Sequence, residues 1–348
     1  MMNQKAELLC VGNAMVDLFA EIDGEIPASW RLSEPVQHIP SGKLAEILAD
    51  LPASPLAVSG GAAANAARIA GLLGISTVFA GAVGPSGDPY AAVFEADLIR
   101  AGVIPCLIRD TSPTGCCLIL KTRGGGQIIA ACPGAALSLA AKDVPEDRMR
   151  EVRAVILDGF LLGRDVLVHR VLDLANQWGT QVALDVGSVS LAASRAGEIA
   201  RYCRDYPLIV FMNEAEAEAF CRALLKDAAI DGEDAADSRG RRREDVELLK
   251  KMTAKDIFPV IVVKRGKRGA VVFAGGHVYS APVIAIPAAE TTGAGDAFCA
   301  GFMAGWIRGK PLADCAATGN KTAREVLDNP GAGADRKRLA HLARTLSV

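Results

Sequence analysis

The sequence predicts an α/β fold: a mostly parallel sheet covered by helices on both faces, with a small β-sheet projecting from it as a lid. Three observations carry this reading. Six short runs are apolar but for a polar first residue in two of them, as strands buried on both faces require. Amphipathic helical windows separate most of them, the alternation that builds a parallel sheet. Two stretches, residues 18–40 and 105–131, break that rhythm and fit no strand–helix unit.

Along the chain, the first strand is read at Glu7 to Val11. Leu18 to Pro40 then mixes polar and apolar residues around Trp30, with Pro27, Pro35 and Pro40, and supplies the first half of the lid. Gly60 to Gly84 is rich in Ala and Gly but contains Asn65, Arg68 and several glycine breaks. It reads as a buried helix followed by a strand at Thr77 to Ala80, not as a membrane span. Gly84-Pro85-Ser86-Gly87-Asp88 is a turn in which Asp88 caps a helix at Tyr90 to Ala101. Pro105 to Ala131 alternates around a hairpin-like turn at Thr122 to Gly126 and supplies the second half of the lid. Strands follow at Ala154 to Leu157, Val182 to Leu184, Leu208 to Phe211 and Val260 to Val263. Helices are read at Asp165 to Trp178, Ala215 to Leu225 and Ala297 to Ile307. Ala229 to Arg243, acidic then basic, reads as a surface loop. The chain shows no internal repeat, and a single domain over 1–348 is expected.

Composition excludes several functions. Apolar residues make up 51% and charged residues 22%, the balance of a folded enzyme. A net charge of -2 offers no general attraction for nucleic acid or anionic membranes. The dense cluster Arg241-Arg242-Arg243 is followed at once by Glu244 and Asp245. The nine cysteines lack a C-x-x-C pair and the four histidines are far apart, so no zinc spacing is present. Cys116 and Cys117 would point to opposite faces of a strand. Met1 to Cys10 has no basic region followed by an apolar run and a cleavage site, so a cytoplasmic protein is expected.

The run Glu290-Thr291-Thr292-Gly293-Ala294-Gly295-Asp296-Ala297-Phe298 carries the most chemistry. Small residues let successive N–H groups of Gly293, Ala294 and Gly295 point at a ligand, and the helix that follows adds its positive dipole end. That is an anion hole suited to a phosphate. Asp296 would repel a phosphate, which makes sense if it takes a proton from a hydroxyl attacking that phosphate. A turn with an acidic N-cap is the plainer alternative.

Gly60-Gly61 before an Ala-rich helix allows close approach of a substrate to the backbone, and Asn65 offers both a donor and an acceptor. Tight helix packing needs the same small residues. Gly12 to Asp17 follows the first strand, where the Asp17 carboxylate can bridge two neighbouring hydroxyls of a sugar ring or simply close a turn. Asn213 with Glu216 three residues later has the pattern of a capping box. Lys264-Arg265-Gly266-Lys267-Arg268-Gly269 is a basic, glycine-punctuated turn. No P-loop, dinucleotide fingerprint or Gly-x-Ser-x-Gly elbow is present, which argues against P-loop, oxidoreductase and hydrolase chemistry.

Taken in order from Gly12 to Asp296, these motifs resemble those of the ribokinase-like (PfkB) family of carbohydrate and nucleoside kinases over nearly the whole chain. The resemblance implies a three-layer α/β/α fold whose lid comes from the two irregular stretches. It also implies an ATP-dependent kinase using Mg2+, with Asp296 as catalytic base and Gly293, Ala294 and Gly295 as the hole for the transferred phosphoryl group. Asn13, Asp17, Gly60, Gly61 and Asn65 would bind the acceptor. Asn213, Lys264, Gly266, Gly269 and Asn320 would face ATP, with Glu216 organising Mg2+ through water. Glu290 departs from the Asp usual there, which leaves a monovalent-cation site open, as does the stretch Asp328 to Gly333.

The expected acceptor is a small molecule, a sugar with a primary hydroxyl. Gly12 to Asp17 and Asp158 to Leu162 are also similar to adenosine kinases, which keeps a nucleoside as the alternative. Phe19, Trp30 and Phe160 are candidates for stacking on its base. Leu161 and Thr292 differ from the aromatic and Asn usual in adenosine kinases, and tilt the expectation to a sugar. A non-catalytic sugar- or nucleotide-binding protein on the same fold ranks lower, because Asp296 and its glycines are present. Apolar edges of the lid sheet would allow a homodimer.

Overall fold

The computed structural model describes residues 6–32, 36–123, 126–228, 238–254, 259–284, 286, 291–327 and 336–346. In chain order the strands begin with β1 (Leu8–Val11), β2 (Met15–Ile22), β3 (Val36–His38), β4 (Leu56–Gly60), β5 (Thr77–Val83), β6 (Ile104–Arg109) and β7 (Gly115–Thr122). They continue with β8 (Gln127–Cys132), β9 (Ala154–Asp158), β10 (Gln181–Asp185), β11 (Leu208–Asn213), β12 (Val260–Lys264), β13 (Ala270–Ala274) and β14 (His277–Ala281).

One sheet has the order β14-β13-β12-β11-β10-β9-β1-β5-β6. It is parallel from β6 to β12 and ends in two antiparallel strands. β1, β5, β9 and β10 are buried along their whole length. Because successive side chains alternate faces, Leu8, Cys10 and Ile156 enter one apolar cluster while Leu9, Val11 and Val155 enter another. Helices Ala62–Leu72 and Ala294–Ile307 close the first cluster, and Asp165–Trp178 and Ala196–Asp205 close the second. This is the expected layered, mostly parallel architecture.

The smaller sheet has the order β3-β8-β7-β2-β4 and corrects the expected lid boundaries. The start of the 105–131 stretch is β6, which completes a crossover after helix Pro89–Arg100 and pairs in parallel with β5 in the large sheet. The small sheet instead starts at Met15 and recruits β4, antiparallel to β2. The Thr122–Gly126 turn does join an antiparallel hairpin, β7 with β8. The expected loop at 229–243 is also shorter, since a helix begins at Ser238 and runs to Met252; residues 229–237 lie outside the described residues. Among the described residues no helix is long and apolar enough to cross a membrane.

Candidate active site

Ligands gather at the carboxyl ends of the strands in open α/β folds, and here the chain passes from the end of β1 directly into the small sheet. After β1 the chain turns through Asn13, whose N–H donates to Asp158 Oδ2 at 3.2 Å at the end of β9. Asp17 follows on β2, buried at 8% exposure. Burial pushes its carboxyl up to about 6, against the opposing charge of Arg68. Beside it, β4 ends at Gly60, where any Cβ would meet the carboxyl carbon of Asp17 at 2.5 Å. Gly61 is left-handed at φ 91° and stands as N-cap of helix Ala62–Leu72, with the Asn13 carbonyl where a side chain would have to go. The two glycines therefore let Asp17 and Asn13 pack directly against the helix start.

Asn65 lies in the second turn of that helix and is buried. Its Nδ2 donates to Asp296 Oδ2 at 2.8 Å, joining positions 231 residues apart. Asp296 is in the first turn of helix Ala294–Ile307, whose N-cap is the left-handed Gly293. Burial, then the charge of Asp185, pushes the Asp296 carboxyl up to about 7, while the Asn65 hydrogen bond and Lys264 work in the other direction. Ala294 N–H donates to Thr291 O at 3.1 Å, and the Gly295 backbone faces Lys264, whose Nζ would lie 3.3 Å from a Cβ there. Glu290 and residues 328–333 lie outside the described residues.

Lys264, the last residue of β12, bonds both carboxylate oxygens of Asp185 at 2.8 and 3.0 Å. Burial opposes its charge, but Asp185, with Cys299 and Glu216, holds its pKa above the ordinary lysine value. Next to it, Asn213 and Glu216 form a reciprocal cap: Glu216 N–H donates to Asn213 Oδ1 at 2.9 Å, and Asn213 N–H donates to Glu216 Oε2 at 2.8 Å. Burial raises the pKa of Glu216, and Asn213 and Lys264 counter it. Asn213, Lys264, Arg265, Gly266, Lys267 and Arg268 line a groove of about 690 Å³. Gly266–Arg268 is its tight turn, closed by Arg265 N–H to Gly269 O at 2.7 Å. Beyond the turn, a cleft of about 270 Å³ is walled by Val283, Ile284, Ile286 and Leu327 and reaches Asn320. Asn320 is buried and its Nδ2 donates to Ala281 O at 2.8 Å.

The structure thus joins the Gly60–Asn65 and Gly293–Asp296 motifs through the Asn65–Asp296 bond and gathers Asn213 and Lys264 to Arg268 around one groove. It also shows three polar residues that the sequence reading gave no site role. Arg68 bonds Asn65, Asp185 holds Lys264, and Asp158 holds the Asn13 turn. A charged residue three positions after Asn65 within an Ala-rich helix was the available signal for Arg68. Asp158 and Asp185 each follow an apolar strand and are paired in register, which only the fold reveals.

This architecture is ribokinase-like. Adenosine kinase from Sinorhizobium meliloti superposes on it with a TM-score of 0.80 at 23% identity, covering 98% of this chain and 99% of that one. The chain belongs to the pfkB family of carbohydrate kinases, whose family model matches residues 40–338. It is 27% identical to adenosine kinase of Saccharomyces cerevisiae over 88% of this chain and 90% of that protein. It is 25% identical to an uncharacterized sugar kinase of Archaeoglobus fulgidus over 75% of this chain and 94% of that protein.

Proposed function

We propose that the protein transfers the terminal phosphoryl group of Mg-ATP to a primary hydroxyl of a sugar. The observation that carries this reading is the 2.8 Å bond from Asn65 to Asp296, which joins the acceptor side of the cleft to a helix N-terminus. Asp17, Asn13 and Asn65 hold the ring hydroxyls beneath the small sheet. Asp296 takes the proton of the attacking hydroxyl, and a carboxyl held near neutrality suits a base that works at pH 7. The N-terminus of helix Ala294–Ile307 at Gly293 and Gly295 stabilises the equatorial oxygens of the transferring group, the Ala294 N–H being tied to Thr291 O. The basic turn from Lys264 to Gly269 flanks the phosphates, and the apolar cleft at Asn320 takes the adenine. Glu216, whose two oxygens are occupied by Asn213, would act on Mg2+ only through water, and Mg2+ would supply charge neutralisation to the ATP phosphates. Positioning and electrostatics then supply most of the rate.

A nucleoside is the second reading, favoured by Phe160. This ring is 50% exposed on the turn after Asp158, where its edge leaves no room for a side chain at Gly187. Because Asp158 also holds Asn13, a base attached to the bound sugar can stack there.

ADP formation with Mg-ATP against pentoses, hexoses and nucleosides, beside Asp296→Asn, tests both. One acceptor should turn over, and the substitution should lower kcat by about 10²–10⁴-fold. Acceptor binding without turnover across the panel would favour a non-catalytic binding protein.

A further inference from the structure

We propose that Arg68 is a positioning residue that locks the amide of Asn65, and through it the carboxylate of Asp296, to the small-sheet strand beside the acceptor. The inference rests on Asp296 acting as the base. Arg68 is 8% exposed and lies on helix Ala62–Leu72 one turn after Asn65. Its Nη2 donates to two acceptors at once, the Ser59 carbonyl at 2.8 Å and Asn65 Oδ1 at 2.6 Å. With the oxygen end of the amide held by a cation, the nitrogen end is committed to Asp296 Oδ2. Turning the amide over would set Oδ1 against a carboxylate and Nδ2 against a guanidinium, replacing two charge-assisted bonds by two repulsions.

Packing alone does not account for an arginine here. Its Nε is buried without a hydrogen-bond partner, and so is the Ser59 hydroxyl oxygen. An apolar side chain of similar volume would fill the space without that penalty. What an apolar residue would lose is the link. Ser59 sits on β4 opposite Val16, the neighbour of Asp17, so a shift of the small sheet around an acceptor moves the carbonyl that holds Arg68. The charges of Asp97, Asp17 and Asp296 all favour the charged guanidinium. The chain of contacts runs from Ser59 through Arg68 and Asn65 to Asp296.

The test compares Arg68→Met, Arg68→Lys, Asn65→Ala and the Asn65→Ala/Arg68→Met double variant, using the acceptor that the panel of pentoses, hexoses and nucleosides identifies. Arg68→Met should lower kcat roughly 10–100-fold, the scale of a misplaced reacting group, while KM for Mg-ATP moves little. Arg68→Lys, which keeps the charge and enough donors, should recover most of kcat. In the double variant the second substitution should cause no further loss, because Arg68 acts through an amide that is already gone. Multiplying losses, or a lower melting temperature with unchanged kcat per folded molecule, would overturn the proposal. Should Arg68→Met fail to fold, Arg68→Gln enters the same cycle. Asp296→Asn separates the two levels: its full activity would remove the base itself, whereas an inactive Asp296→Asn beside an unaffected Arg68→Met would remove only the role of Arg68.

Discussion

Asp296 is under two opposing demands. As a base it must be charged, yet burial and the Asp185 charge push its carboxyl up to about 7. Activity should therefore rise with pH: kcat/KM for the acceptor is expected to fall about tenfold per pH unit below about pH 7, as the base is protonated. Stability should run the other way. A carboxyl with a raised pKa binds more protons folded than unfolded, so its contribution is full at low pH and declines as pH rises toward the folded value. Asp296→Asn removes that decline. Melting curves should show the variant more stable than the parent at pH 8, by on the order of 1–3 kcal/mol, and equal to it near pH 4. A variant less stable at pH 8 would show that the carboxylate is held by its partners more than it is penalised by burial. The motif around Asp296 was legible in the sequence because small residues and a carboxylate sit together. Asp185 was not, since its partner is a lysine 79 positions away, and the link from Arg68 to the Ser59 carbonyl on β4 shows only in the fold.

At the level of elements, the apolar runs located the central strands; the first was read to its true end at Val11, but the last four readings stopped short at the carboxyl end. Leu157, Leu184, Phe211 and Val263 were read as last residues, whereas the strands end at Asp158, Asp185, Asn213 and Lys264. A polar residue breaks an apolar pattern, and at these strand ends the polar residues carry the bonds that hold Asn13, Lys264 and Glu216. β4 and β6 escaped for another reason, because which sheet a short strand joins is decided by partners distant in sequence. Helix Glu214–Ala228 poses the remaining ambiguity, since its reciprocal cap from Asn213 and Glu216 is also the proposed ATP side of the cleft. Asn213→Ala should lower stability by about 1 kcal/mol, the usual loss of an N-cap. If the cap also serves the nucleotide, KM for Mg-ATP should rise several-fold in the same variant while acceptor KM stays put. A change confined to the melting temperature would leave Asn213 as a cap alone.

Across the whole molecule, the small sheet is held by more than the four chain crossings that join it to the main body. Leu18, Ile22, Leu118 and Leu120 from its strands belong to the same apolar cluster as Leu8, Phe79 and Phe302 of the main body. Trp30 joins that cluster from the small-sheet side, buried, with its Nε1 donating to Asp50 Oδ2 at 3.2 Å. Trp306 packs against it from helix Ala294–Ile307. A continuous core of this kind transmits strain and unfolds as one unit, whereas a lid on a polar hinge would open first. The three tryptophans allow a direct comparison. With Trp178 and Trp306 changed to Phe, fluorescence reports Trp30; with Trp30 and Trp178 changed to Phe, it reports Trp306. The two denaturant midpoints should coincide with each other and with the circular dichroism transition, as a single cooperative unit requires. An earlier midpoint at Trp30 would mean that the small sheet opens before the main body despite the shared core. The link from Ser59 to Asp296 would then be made and broken with each opening, and acceptor binding would have to close it.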